Sequence, residues 1–110
     1  VCLMIKLPGP YQRLKKSHPK VFRAYEKLGE TAAESGPLDL KTRELIKLGM
    51  AAAMRGENAV HSHTHRALEA GASVAEIEHT LMLGVTTDGF PTMMSALTWA
   101  YEAIEAHTAA

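Results

Sequence analysis

Apolar residues return every three or four positions along most of the chain, which is the spacing of one face of a helix. The sequence has no clean run in which β-branched and polar residues alternate, as they would in a strand. The spacing predicts a short first helix over residues 11–17 and a second one that begins at Pro19 and ends at the "SGP" of residues 35–37. The apolar stripe of this second helix consists of Val21, Phe22, Tyr25, Leu28 and Ala32.

A third helix is predicted from residue 40 to about residue 55. Its central sequence, "ELIKLGMAAAM", is apolar on nearly every side, so we expect it to be the central and most buried helix. Asp39 precedes it and has a side chain that can cap the first turn. Gly56 breaks the helical pattern at its other end.

The next two helices are marked by residues that favour helix ends. Asn58 is the expected cap of a helix over residues 59–70, and Gly71 suits the left-handed conformation that follows such a helix. Ser73 and Glu76 then form the S-x-x-E pattern of a capping box. These signals predict a helix–turn–helix arrangement in this part of the chain.

The remaining pattern completes an all-α domain. The helix that begins after Ser73 is expected to end near Val85, "TTDGFP" is a turn, and Pro91 opens a last helix. We therefore expect one domain over residues 1–110 with five to six helices. The apolar sequences "IEHTLMLGV" and "PTMMSALTWAYEAI" favour contacts between subunits, although the same residues could instead face the core of a monomer.

Composition narrows the classes of partner. The 110 residues include 12 basic and 12 acidic side chains, and this balance gives no electrostatic reason to expect nucleic acid or an anionic membrane as a partner. There is no long apolar run of the kind that spans a bilayer. The single cysteine, Cys2, cannot form an internal disulfide, which favours a cytoplasmic location.

A group of three histidines in "RGENAVHSHTHRALEAGAS" invites a metal interpretation. His61 and His65 are four residues apart and share a helix face, a spacing known from zinc-binding helices. Glu57 or His79 would have to supply a third ligand. The competing interpretation is a solvated stripe in which these histidines pair weakly with Glu57 and Glu69. No metal is favoured over that interpretation.

His63 points to a different face, together with Val60 and Ala67. An inward histidine is either a hydrogen-bonded core residue or a group that transfers protons. Glu44 lies in the most apolar predicted helix, where burial of a carboxylate is costly unless it is paired. Glu44 and His63 could therefore form an acid–base couple, while the alternative for Glu44 is an exposed acid in the first turn of its helix.

Several residues in fixed order resemble a known family. The sequence "RELIKLGMAAAMRGENAVHSHTHRALEAGASVAEIEHTL", followed by "DGFP", resembles the carboxymuconolactone decarboxylase family, which includes the alkylhydroperoxidase D-like proteins. The resemblance covers about residues 38–106 and rests on Glu44, His63, Ala67, Leu68, Gly71, Ala72, Glu76, Ile77, Gly89, Phe90 and Pro91. It implies an alkylhydroperoxidase D-like helical subunit that assembles as a homo-oligomer, either a trimer or a hexamer.

In the peroxidase branch of this family, a C-x-x-C pair precedes the histidine and attacks peroxide. The corresponding positions here are Gly56 and Ala59, and Asn58 stands where some members have an additional histidine. Gly56 and Ala59 have no sulfur atom, and Cys2 lies far outside the motif. The resemblance therefore makes an alkylhydroperoxidase-type antioxidant (peroxiredoxin-type) function a disfavoured alternative, one that would need Cys2 or a partner protein to supply the thiol.

The decarboxylase branch also resembles this chain and lacks the cysteine pair. It implies a carboxy-lyase that acts on a small lactone or carbonyl acid, with Glu44 and His63 as catalytic residues and without a cofactor. Candidates for holding a substrate carboxylate, by proximity in sequence alone, are Arg43, Arg55 and Arg66. A non-catalytic relative that only binds a small molecule is the remaining alternative.

Overall fold

The computed structural model describes residues 9–109, and within that range the chain is helical, with no strand. The helices are α1 (Gly9–Ser17), α2 (Pro19–Ala33), α3 (Leu40–Ala53), α4 (Glu57–Glu69), α5 (Val74–Met82) and α6 (Phe90–Ala109), and a 3₁₀ helix (Leu83–Thr86) links the last two. The predicted all-α fold class is confirmed. Cys2 lies outside the described residues, so its predicted roles are not addressed by the structure.

The helix ends follow the predicted local signals in three places. The Asp39 side chain accepts a hydrogen bond of 2.9 Å from the backbone N–H of Thr42 at the start of α3. Ser73 and Glu76 form the reciprocal capping box at the start of α5. Gly71 has a φ of +97° just after α4, a conformation that glycine adopts far more readily than other residues.

The start of α4 differs from the prediction. Its N-cap is Gly56 rather than Asn58, because the carbonyl of Gly56 already accepts the first helical hydrogen bond, from Val60 N–H at 2.8 Å. Asn58 therefore lies inside the first turn. The turn before it places Arg55 at a φ of +56°, so α3 ends two residues before the predicted boundary.

Residues 39–109 form one compact unit, in which α4 packs against α3 and α6, and α5 packs against α3 and α6. Leu48, Val60 and Ile77 are fully buried at its centre. Alanines supply much of the rest of the core and let the helix axes approach closely. They are Ala51, Ala52, Ala67, Ala72, Ala96, Ala100 and Ala103.

The sequence predicted that α3 would be buried on nearly every side, but the structure buries only one of its faces. Its buried residues are Glu44, Leu48, Ala51 and Ala52, which lie along one face. On other faces Met50 and Met54 are 59% and 80% exposed. The apolar run in the sequence therefore contributes residues to two surfaces. One of them lies in the core, and the other, which includes Met50 and Met54, is exposed on the chain.

Residues 9–38 form a second compact unit, made of α1 and α2. The rings of Tyr11 and Phe22 meet edge to face with centroids 4.9 Å apart. Phe22 is buried, but Val21, Tyr25 and Leu28 of the predicted apolar stripe are more than half exposed. None of the helices among the described residues has both the length and the apolar character needed to cross a bilayer.

Candidate active site

Glu44 on α3 and His63 on α4 lie side by side. The Nδ1 atom of His63 is 2.8 Å from Oε1 of Glu44. Glu44 is 7% exposed, which excludes the alternative of an exposed acid in the first turn of its helix. The two positions predicted as an acid–base couple are thus brought together, while their catalytic role remains a prediction.

The electrostatics of the pair determine which atom carries the proton. Burial raises the pKa of Glu44, but the hydrogen bond from His63 and the positive charges of His63, Arg66 and Lys47 outweigh it, so the pKa is lowered overall. Glu44 is therefore ionised at neutral pH and can only accept a hydrogen bond. It follows that Nδ1 of His63 donates, and Nε2 is the ring nitrogen left for exchange of a proton with a ligand.

A cavity of about 240 Å³ adjoins this pair. Its lining consists of Lys47, Met50, Ala51, Met54, Gly56, Ala59 and His63. Apart from the lysine and the histidine, these residues are apolar. The cavity therefore combines one proton-transferring group with walls that favour an apolar ligand.

The two positions that correspond to the peroxidase cysteines lie in the wall of this cavity. A Cβ atom built on Gly56 would be 3.5 Å from Cβ of Ala59. Disulfides join residues whose Cβ atoms are about 3.5–4.5 Å apart. The backbone thus provides the spacing of a cysteine pair, but its side chains provide no sulfur.

The arginines suggested by sequence proximity do not line the cavity. Arg55 donates instead to the hydroxyls of Thr92 and Ser95. Arg66 contributes positive charge that acts on Glu44. The cationic residue that does line the cavity is Lys47, which sequence reasoning missed. Its position three residues after Glu44 was the available signal, since residues three apart are neighbours on a helix.

The predicted metal set is divided by the structure. Nε2 of His61 lies 2.9 Å from Oε1 of Glu102 on α6, and the ligand atoms of Glu57, His61 and Glu102 are within 4.8 Å of one another. His65 is not part of this group, and its Nδ1 lies 3.4 Å from Nδ1 of His107 instead. Exposed acidic groups of this kind are common without a metal, so the cluster alone assigns no metal site.

His65 is 3% exposed, so the predicted solvated stripe is wrong for this residue. Burial lowers the pKa of His65, the neighbouring His107 lowers it further, and the charge of Glu69 opposes both. The imidazole is therefore neutral at pH 7. His79, the other suggested ligand, is exposed on α5 and is not part of the cluster.

Comparison with known proteins gives three uncharacterized relatives. A protein of Haemophilus influenzae is 44% identical over 57 residues, which are 52% of this chain and 50% of that protein. The match thus spans about half the length of this relative. Two proteins of Methanocaldococcus jannaschii are 27% and 29% identical, each over 76% of this chain and over 78% and 82% of their own lengths.

The fold resembles the crystal structure of an apo carboxymuconolactone decarboxylase family protein from Legionella pneumophila. The TM-score is 0.77, the sequence identity is 30%, and the match covers 86% of this chain and 83% of the other. The model of the carboxymuconolactone decarboxylase family matches residues 19–102, which include Glu44, His63 and the cavity residues. The chain belongs to the carboxymuconolactone decarboxylase family.

Proposed function

We propose that this protein is an acid–base enzyme that decarboxylates, or carries out related proton transfer on, a small lactone or carbonyl acid. The observation that carries the proposal is the hydrogen bond of 2.8 Å between Glu44 and His63 beside an apolar cavity. Burial of an ionised carboxylate is costly, and here the partner that compensates it is a histidine in the cavity wall. Such an arrangement suits proton transfer to a bound ligand.

The proposed reaction uses both residues. The carbon–carbon bond between the substrate carboxylate and its neighbouring carbon breaks. Carbon dioxide leaves, and the electron pair of that bond stays on the neighbouring carbon as an enolate-like anion. Protonated His63 then donates the proton on Nε2 to that carbon, and a proton from water restores the imidazolium. Glu44 holds the ring by Nδ1 and stabilises its positive charge during the cycle.

The lining of the cavity supports this chemistry over a thiol peroxidase reaction. Peroxide reduction by a cysteine pair needs a thiolate as nucleophile. Gly56 and Ala59 occupy the wall beside His63 and supply none. Met50 and Met54 instead line the cavity with apolar surface, against which the uncharged part of a small lactone or carbonyl acid can pack.

Assembly into a homo-oligomer, a trimer or a hexamer, is part of the proposal. Large apolar side chains near the start of α6 and in the 3₁₀ helix support it, since Leu83 and Phe90 are 62% and 60% exposed in the single chain. Light scattering at micromolar concentration tests this point. A monomer under those conditions would contradict it.

The test of the proposed chemistry is a screen of lactones and β-keto acids for release of carbon dioxide, with His63→Gln as the variant. Glutamine keeps polar atoms at the site but cannot carry a proton, so we expect kcat to fall by about 10²–10⁴-fold. His79→Gln, on the exposed side of α5, is the matched control and should retain full activity. Equal turnover in His63→Gln and the unmodified protein would end the proposed role of His63. Binding without any turnover would favour the non-catalytic alternative.

A further inference from the structure

The cavity beside His63 has one cationic residue in its wall, Lys47. Lys47 follows Glu44 by three residues on α3, so both side chains project from neighbouring turns on the same side of the helix. Among residues 9–109 the Lys47 ammonium makes no hydrogen bond and no ion pair. Its charge is therefore accessible to an anion that enters the cavity.

The size of the cavity limits what can enter. An engineered apolar cavity of about 150 Å³ binds benzene. The cavity here, of about 240 Å³, is larger and has room for a single ring with a substituent. Methionine, alanine and glycine form the walls that would contact the uncharged part of such a molecule.

Building on the function proposed above, we infer that Lys47 holds the carboxylate of a ring-sized substrate at the mouth of the cavity and thereby sets a preference for anionic ligands. Lysine methylenes commonly lie along apolar surface while the ammonium stays at the wet edge. Lys47 is exposed and lines the cavity, which matches that behaviour. Because Lys47 and His63 line the same cavity, a carboxylate held by the ammonium keeps the carbon next to it inside that cavity, where His63 can protonate it. Lys47 acts as a specificity-determining residue, in place of the three arginines.

Two probes of the same shape and different charge test this inference. Benzoate and benzamide share a ring, and only benzoate has a carboxylate. Titrations followed by ¹H–¹⁵N NMR should show that the unmodified protein binds benzoate about tenfold more tightly, as expected for one charge-assisted contact. Lys47→Met keeps the length of the side chain without its charge, so it should remove this preference while leaving benzamide affinity unchanged.

Three further variants make the test specific. Lys47→Arg should keep the preference for benzoate that Lys47→Met loses, because arginine keeps the positive charge. Lys41→Met, on the same helix but paired with Glu76 at 3.0 Å and outside the cavity, should leave both affinities unchanged. Ala59→Leu places a larger side chain in the cavity from an exposed position, so it should lower the affinity for both benzoate and benzamide by about tenfold.

The inference is overturned if the unmodified protein does not distinguish the probes, if neither probe binds, or if Lys47→Met keeps the preference. These outcomes are separate from those of the proposed chemistry. Loss of turnover in His63→Gln, together with an unchanged ligand preference in Lys47→Met, would leave the acid–base function standing and remove Lys47 from it. The opposite pair of results would leave an anion-binding cavity without the proposed catalysis.

Discussion

Glu44 and His63 are separated by 19 residues and joined by a hydrogen bond of 2.8 Å that forms only when α3 and α4 pack together. The fold and the candidate site therefore depend on the same contact. A buried carboxylate that loses its partner keeps the full cost of its desolvation. Changes at either residue are consequently expected to affect stability as well as activity, and the two effects can be separated.

The first prediction concerns Glu44→Gln. The amide has the same shape but no negative charge, and it can present either an oxygen or an NH₂ group to Nδ1 of His63. It neither stabilises the imidazolium nor fixes the proton on Nδ1. We expect kcat to fall by about 10–100-fold, a smaller loss than in His63→Gln, because the proton-transferring ring is still present. Steady-state kinetics measures this loss, and nitrogen NMR of the imidazole reports the tautomer.

Glu44→Gln should also change how the free energy of unfolding depends on pH. The pKa of Glu44 in the folded protein lies below its ordinary value of 4.5. Its ionised form therefore stabilises the fold above about pH 4.5, and this contribution is lost as pH falls through the folded-state pKa. The difference in free energy of unfolding between the unmodified protein and Glu44→Gln should shrink below pH 4.5. A difference that stays constant down to pH 3 would contradict the assigned role of the carboxylate.

The second prediction uses the spacing between Gly56 and Ala59. The double variant Gly56→Cys/Ala59→Cys should form a disulfide when treated with oxidised glutathione, because the Cβ atoms at these positions are about 3.5 Å apart. Gly56 has a φ of −90°, which a cysteine adopts without strain. Mass spectrometry with and without a thiol-blocking reagent detects the bond. The single variants provide the control, since neither can form it.

A residual reaction with peroxide would extend this result. A thiol at position 56 or 59 stands at the start of α4, where the helix dipole favours the thiolate. We expect the double variant to consume hydrogen peroxide in the presence of a dithiol reductant, whereas the unmodified residues at these positions cannot. If the reduced double variant shows no free-thiol reaction with peroxide, the cavity lacks more of the peroxidase machinery than the two sulfur atoms.

Sequence reasoning succeeded where a local rule decides the outcome. Asp39, Gly71 and the capping box at Ser73 each satisfy backbone groups or dihedral angles within a few residues, so their identity in the sequence is enough. The proximity of Glu44 and His63 was also foreseen, because each lies on the inward stripe of its own helix. Their order along the chain matched the family pattern as well.

The rest depended on which helices meet in three dimensions. The helical period puts His61 and His65 on one face, but it cannot tell that α6 brings Glu102 to the first and His107 to the second. The burial of His65 follows from those distant neighbours. The position of Lys47 could not be predicted for the same reason, since the cavity that it lines forms only where α3 meets Ala59 and His63 of α4.

The third prediction concerns the pH dependence that His65 introduces. The pKa of this buried histidine is lowered below its ordinary value of 6.5. As pH falls below 6.5 the unfolded chain takes up a proton that the folded protein does not, so the free energy of unfolding decreases until the folded-state pKa is reached. The slope is at most about 1.4 kcal/mol for each pH unit. The titratable neighbours that act on it are His107 on α6 and, on its own helix, Glu69 and His61.

Replacement of His65 tests this directly. His65→Leu removes the titrating group while keeping an apolar side chain in the buried position, so urea unfolding should depend less on pH between 7 and 5.5. His61→Leu, one turn earlier and partly exposed beside Glu102, is the matched control and should keep the steeper dependence. Identical slopes for the unmodified protein and His65→Leu would assign the dependence to another group.

The last prediction contrasts two glycines that differ only in what the backbone requires. Gly49 lies inside α3, and an added Cβ would meet Cγ2 of Thr80 at 3.8 Å, an ordinary contact. Gly49→Ala should therefore stabilise the protein by about 0.5–1 kcal/mol, since alanine loses less backbone entropy in a helix. Gly71 has open space around it but a φ of +97°, so Gly71→Ala should destabilise it by about 1 kcal/mol or more through backbone strain. Urea unfolding at pH 7 measures both. Two changes of the same sign would show that packing, and not the dihedral angle, governs these positions.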